Sequence, residues 1–111
     1  MPKSNDIILV PFPFTDLSGD KVRPALVLVV VGHDAIVAMI SSRLDDKKWP
    51  SDFDILDSDA DFSATGFKVS SRIRLGKLAT IETKIIVGQL GVLKQKHSQQ
   101  INKKIANLFN C

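Results

Sequence analysis

With 111 residues, 44% hydrophobic and 24% charged, the chain is expected to form one domain over residues 1–111, near the size where burial alone is marginal and oligomerisation would help. Fifteen Lys and Arg against twelve Asp and Glu leave a net charge of +3, a mild surplus that favours a polyanionic partner without demanding one. The single cysteine, Cys111, excludes an internal disulfide and fits a reducing, cytoplasmic setting. The start, MPKSND, lacks the apolar core of a signal peptide, and the longest apolar run, residues 25–31, is far short of the ~20 residues of a membrane helix, so no membrane partner is expected.

Residues 7–10 are apolar and rich in β-branched side chains, and Pro11 and Pro13 end the run, which predicts a strand over residues 6–11. Residues 12–22 read as a loop that turns at Ser18-Gly19-Asp20. Two apolar runs, 25–31 and 35–40, flank Gly32-His33-Asp34 and predict an antiparallel hairpin covered on both faces. Residues 43–50 are charged and carry the only tryptophan, Trp49, either a loop anchor or part of a partner surface.

Residues 52–56 alternate as a half-buried strand does, and 57–65 form an acidic linker with room for a helical turn. In residues 69–75, Val69, Ser71, Ile73 and Leu75 fall on one side and Ser70, Arg72 and Arg74 on the other, predicting a strand with a basic outer face. An extended segment at 78–81 and a strand at 85–90 follow. Ile101, Ile105, Leu108 and Phe109 then make the stripe of a packed helix, with Ser98 as its N-cap. The sum is mainly β with a C-terminal helix, about six strands in a small, partly open barrel.

Familiar catalytic patterns are missing: the sequence has no GxxxxGK[ST], no CxxC and no HExxH. His33 and His97 lie far apart with no evident orienting partner, which disfavours a histidine-pair nuclease. Asp52, Asp54, Asp57, Asp59 and Asp61 match no calcium loop and read as a solvated acidic segment. Arginine and hydroxyl chemistry remains. Arg23, between a loop and a strand, presents a planar fork suited to two phosphate oxygens, although alone it is equally a surface ion-pair arginine. If the two apolar runs pair, residue 23 and residues 41–43 reach the same open end, where Arg23, Ser41, Ser42 and Arg43 can converge.

Four segments in order, VPFPFTDLSGDKVRPALVL, AMISSR, ATGFKVSSRIRLGKLATIE and IIVGQLGVL, resemble the successive blocks of PemK/MazF-like toxins of type II toxin–antitoxin systems. The resemblance implies an SH3-like small β-barrel that forms a homodimer with an RNA groove near its interface. It implies an endoribonuclease that needs no metal and no cofactor, cuts single-stranded RNA, and is silenced by a cognate antitoxin with a disordered acidic tail. The family's Arg-Pro matches Arg23-Pro24, and its catalytic Thr or Ser matches Ser41. Lys21, Ser42, Arg43, Arg72, Arg74 and Lys77 are then expected to position phosphates, and Thr15, with Asp16, to meet bases.

One departure is Arg74-Leu75-Gly76-Lys77, where many members carry an acid after the basic strand. Either the acid is dispensable here, or activity is reduced, or recognition has shifted. Two rivals remain. A CcdB-like gyrase poison would act through the end of the C-terminal helix, where residues 108–111 offer no match; a degenerate, non-cleaving member would have Gly76 in its favour.

Overall fold

A computed structural model describes residues 1–11 and 21–110; the expected turn at 18–20, Thr15, Asp16 and Cys111 lie outside the described residues. In chain order the elements are β1 (Asp6–Pro11), β2 (Val22–Val31), β3 (Asp34–Ser41), β4 (Asp52–Ile55), α1 (Phe62–Thr65), β5 (Ser71–Glu82), a 3-10 turn (Thr83–Ile85), β6 (Gly88–Val92) and α2 (Gln95–Phe109). The strands form one six-stranded sheet in the order β4-β5-β3-β2-β1-β6, each neighbouring pair antiparallel. It is a curled half-barrel, mainly β with a C-terminal helix.

The apolar runs of β2 and β3 pair across a two-residue turn, Gly32-His33, where Gly32 has φ +61°, the positive first position of a type II′ hairpin. Because side chains alternate, the sheet buries both faces. Ile7, Leu26, Ala38, Ile40, Ile55, Ile73 and Leu75 form one core, closed by Phe67, Leu93 and Ile101 of α2. Ile8, Val10, Ala25, Val27, Ala35, Val37 and Ile81 form the other.

The register between β3 and β5 jumps from Ala38↔Leu78 to Met39↔Arg74, so residues 75–77 bulge out. Such a bulge bends and twists a strand, which lets one long β5 serve where the sequence reading expects two pieces. Below the bulge, β5 pairs with β4 in the register Asp52↔Arg74 and Asp54↔Arg72.

Helix α2 begins at Gln95, three residues before the expected cap. Ser98 lies inside its first turn and donates from Oγ to the Gln95 carbonyl at 3.0 Å. Tertiary burial overrides the unfavourable charge at this end, because His97 is only 2% exposed, packed edge-on to Phe53. Only the first half of the expected stripe is covered: Ile101 is buried and Ile105 partly so, while Phe109 is exposed and Leu108 borderline.

Candidate functional site

The β2–β3 pairing ends at Ala25↔Met39. Pro24 has no amide to donate, so the ladder cannot continue and the two strands part. Arg23, just before Pro24 on β2, and Ser41, the last residue of β3, both line the opening where the pairing stops. The gap opens into a cleft of about 630 Å³. Leu9, Pro24, Ile40, Phe67 and Leu90 give it an apolar lining, while Arg23, Ser41, Ser42, Arg43 and Lys68 supply polar groups.

Ser41 is held in place locally. The Arg43 amide donates to Ser41 Oγ at 3.1 Å, which leaves the hydroxyl proton free for a further acceptor. Among the described residues, no carboxylate comes within ion-pairing distance of Arg23, Arg43 or Lys68. A half-buried guanidinium, a fixed hydroxyl and exposed cations around an apolar lining form an anion-binding arrangement, with donors ready to meet charge that builds on a phosphate.

Of the other expected positions, Ser42 and Arg43 line this cleft, Lys21 is exposed beside it in sequence but outside its lining, and Thr15 lies outside the described residues. Lys68 lines it too, a position the sequence reading does not single out. It stands in the third of the matching blocks, between Phe67 and Val69, but no periodicity marks it as facing the β2–β3 opening.

Arg72 and Arg74 correct the sequence reading. They do not form a solvated basic face; they are 3% and 8% exposed. Arg72 forks onto Asp54, with Nε to Oδ1 at 2.7 Å and Nη2 to Oδ2 at 3.1 Å, and donates also to the Asp46 and Leu44 carbonyls at 2.9 and 3.3 Å. Arg74 Nε meets Asp52 Oδ1 at 3.3 Å, and its Nη2 reaches the Lys47 carbonyl at 3.5 Å. These guanidinium groups are already committed, so they staple β5 to β4 and to the loop before it instead of offering themselves to phosphates. Asp52 and Asp54 correspondingly leave the solvated acidic segment: Asp52 is 0% exposed. The Arg72 hydrogen bond holds the Asp54 carboxyl below the usual carboxylate range and raises the Arg72 pKa above its ordinary value.

His97 also has the partner the sequence did not reveal. Its Nε2 lies 2.9 Å from Asp59 Oδ2, and the Asp61 amide donates to Asp59 Oδ1 at 2.8 Å. The Asp61 amide first, and His97 second, hold the Asp59 carboxyl below its ordinary range. Ligand atoms of Asp59, Asp61 and His97 fall within 4.8 Å of one another, but both Asp59 oxygens are taken by these bonds and none of the three lines the cleft.

Gly76 has a packing reason. A Cβ there would sit 3.1 Å from two ring carbons of Trp49 and 3.3 Å from Ser51 Oγ. The indole also lies over Arg74, whose Cζ is 4.1 Å from its centroid, while Lys77 Nζ is 5.8 Å away. Lys77 therefore belongs to this surface and not to the lining of the cleft. Gly76→Asp is expected to push the indole outward, and a red shift in the emission of the sole tryptophan reports the displacement.

A curled antiparallel half-barrel with a C-terminal helix and an arginine and hydroxyl cleft at a strand end defines a small, mainly β protein of MazF-like fold. Residues 3–109 match the PemK-like, MazF-like toxins of type II toxin–antitoxin systems, and the chain belongs to that family. Among solved structures it is similar to the Mycobacterium tuberculosis toxin MazF-mt6, with a TM-score of 0.73, 18% identity and coverage of 95% of this chain and 96% of that one. It is similar to the MazE-MazF structure from Deinococcus radiodurans, with a TM-score of 0.72, 18% identity and coverage of 98% and 95%. A third similar structure is an endoribonuclease in complex with its cognate antitoxin from a mycobacterial species, with a TM-score of 0.72, 12% identity and coverage of 96% and 93%. No curated protein matches the chain by sequence.

Proposed function

We propose that this chain is a toxin that acts as a metal-independent endoribonuclease on single-stranded RNA. The observation that carries the reading is the cleft at the parting of β2 and β3, which Arg23 and Ser41 line together with apolar side chains. RNA brings its own nucleophile. The 2′-oxygen attacks the adjacent phosphorus, a new O–P bond forms, the bond to the 5′-oxygen breaks, and the products are a 2′,3′-cyclic phosphate and a 5′-hydroxyl. The proton lost from the 2′-hydroxyl is balanced by the one gained on the departing 5′-oxygen.

Arg23 and the Ser41 hydroxyl would donate to the phosphate oxygens as charge accumulates there, the logic of an oxyanion hole. Arg23 serves poorly as a base, since an arginine pKa above ~12 leaves almost no neutral form at pH 7. Ser42, Arg43 and Lys68 position the flanking backbone, and Lys21 approaches from the neighbouring loop. The same cationic surround suits the acidic tail of a cognate antitoxin, and a homodimer in the cytoplasm completes the proposal.

The test incubates the purified protein with a long single-stranded RNA in the presence of chelator. Recurring cuts with cyclic-phosphate ends are expected, with Arg23→Ala slowed roughly 10²–10³-fold and Ser41→Ala slowed as well. Unchanged cleavage by Arg23→Ala, or no cleavage by the parent at any concentration, overturns the assignment. Inhibition of DNA supercoiling without RNA cuts would establish the gyrase-poison reading instead. RNA binding without product would instead establish the non-cleaving reading, which Gly76 in place of an acid favours.

A further inference from the structure

We infer that Trp49 is a stacking platform for a nucleobase of single-stranded nucleic acid, a second contact surface outside the cleft; this rests on the proposed RNA-cleaving function. Trp49 is 38% exposed, so part of this large aromatic side chain is open to solvent. The exposure is built into the fold. The Trp49 amide donates to Asp52 Oδ2 at 2.8 Å, and the Asp52 amide donates back to the Trp49 carbonyl at 2.9 Å. Arg74 and Gly76 support the ring from the sheet, and Gly76 supplies the missing side chain that lets it lie down.

The loop that carries the ring is fastened along its length, because Arg72 and Arg74 donate to the carbonyls of Leu44, Asp46 and Lys47. A rigid aromatic backed by a guanidinium, with exposed Lys47 beside it and Lys77 at 5.8 Å, suits a base whose backbone carries negative charge. The loop also connects the platform to the chemistry. It leaves β3 at Ser42 and Arg43, which line the cleft, and reaches Trp49 six residues later, at most ~20 Å along the chain. A single strand bound at Arg23 and Ser41 can follow Arg43 and Lys47 to the indole. Single-strand sites of this kind cover about four or more nucleotides.

Trp49 is the only tryptophan, so its emission reports the contact directly. A single-stranded oligonucleotide with 2′-O-methyl groups, which cannot be cut, is titrated into the parent and Arg23→Ala proteins. An abasic phosphodiester chain of equal length and an acidic peptide serve as controls. Saturable quenching by the base-bearing strand alone is expected. With cleavable RNA, Trp49→Leu, which still covers Gly76 and Arg74, is expected to raise KM roughly tenfold with little change in kcat, and Trp49→Phe to restore most of the loss.

Absent quenching, equal quenching by the abasic chain, or parent-like KM in Trp49→Leu overturns the inference. Quenching by the acidic peptide but not by the oligonucleotide assigns the surface to a protein partner and overturns it too. The two readings fail separately. Arg23-dependent cleavage without quenching removes the platform alone, whereas base-specific quenching without cleavage keeps the platform and removes the nuclease.

Discussion

Asp52→Ala is expected to destabilise the fold by about 3–5 kcal/mol, the range typical of breaking a buried ion pair from one side. The carboxylate is fully enclosed, with Oδ1 at 3.3 Å from Arg74 Nε and Oδ2 accepting the Trp49 amide at 2.8 Å. Arg72 Nε lies 4.0 Å from the same Oδ2. Removing it strands the buried Arg74 guanidinium with the Lys47 carbonyl at 3.5 Å and the Trp49 ring as its company. It also removes the acceptor of the Trp49 amide, loosening the loop that Asp52 fastens.

In urea or thermal unfolding the loss should appear as a Tm lowered by more than about 10 °C in a domain of this size. Lys48→Ala is the matched control. Its ammonium is 3.6 Å from Asp54 but its side chain is 54% exposed, so a change below about 1 kcal/mol is expected. Equal effects from the two variants would show that the buried network contributes no more than a surface pair.

The same network gives stability a pH dependence with a definite sign. Arg72 holds Asp54 below its ordinary carboxylate pKa in the folded chain. A depressed folded value means that the unfolded state binds the proton more readily as pH falls. The Asp54 contribution is therefore full above the unfolded carboxylate pKa of ~3.9 and is lost as pH drops through the lower folded value. Acid unfolding of Asp54→Asn should be less steep over that window than acid unfolding of the parent.

Much of this architecture is legible in the chain because local pattern and tertiary outcome agree. The run ended by Pro11 becomes β1 over the residues expected, and the two apolar runs around Gly32 become the β2–β3 hairpin. That hairpin brings Arg23 and residues 41–43 to one cleft. What the pattern does not disclose is what each face meets. The period-two arginines at 72 and 74 read as an outer face because nothing local opposes them. Their partners at 52 and 54 have the same spacing and opposite charge on a strand some twenty residues earlier, a complementarity that could have been sought. His97 and Asp59 are 38 residues apart, with no shared period to link them. The packing of Gly76 under Trp49 is likewise hidden from the sequence, because the two are distant in the chain.

Glycines at 66 and 91 hold the second large effect. The left-handed Gly66, φ +76°, ends α1, and a Cβ there would collide with the Leu90 carbonyl oxygen and lie 2.7 Å from its carbon. A Cβ on Gly91 would collide with the Ala64 carbonyl oxygen and lie 2.6 and 2.7 Å from the Thr65 carbonyl carbon and oxygen. The obstacles are backbone atoms, so no side-chain rotation relieves them, and α1 would have to lift from β6. Gly91→Ala is expected to cost about 3 kcal/mol from overpacking, and Gly66→Ala more, since it adds the ~1–2 kcal/mol of a left-handed alanine. Gly32→Ala separates the two causes: its φ is +61° but nothing lies within 4 Å, so it should lose only the conformational part. Since Gly66, Phe67, Lys68 and Leu90 line the cleft, lifting α1 would also spread the wall facing Arg23. The ranking Gly66 > Gly91 > Gly32 in unfolding free energy tests the account, and a Gly91→Ala protein as stable as the parent would show that α1 and β6 do not interlock as described.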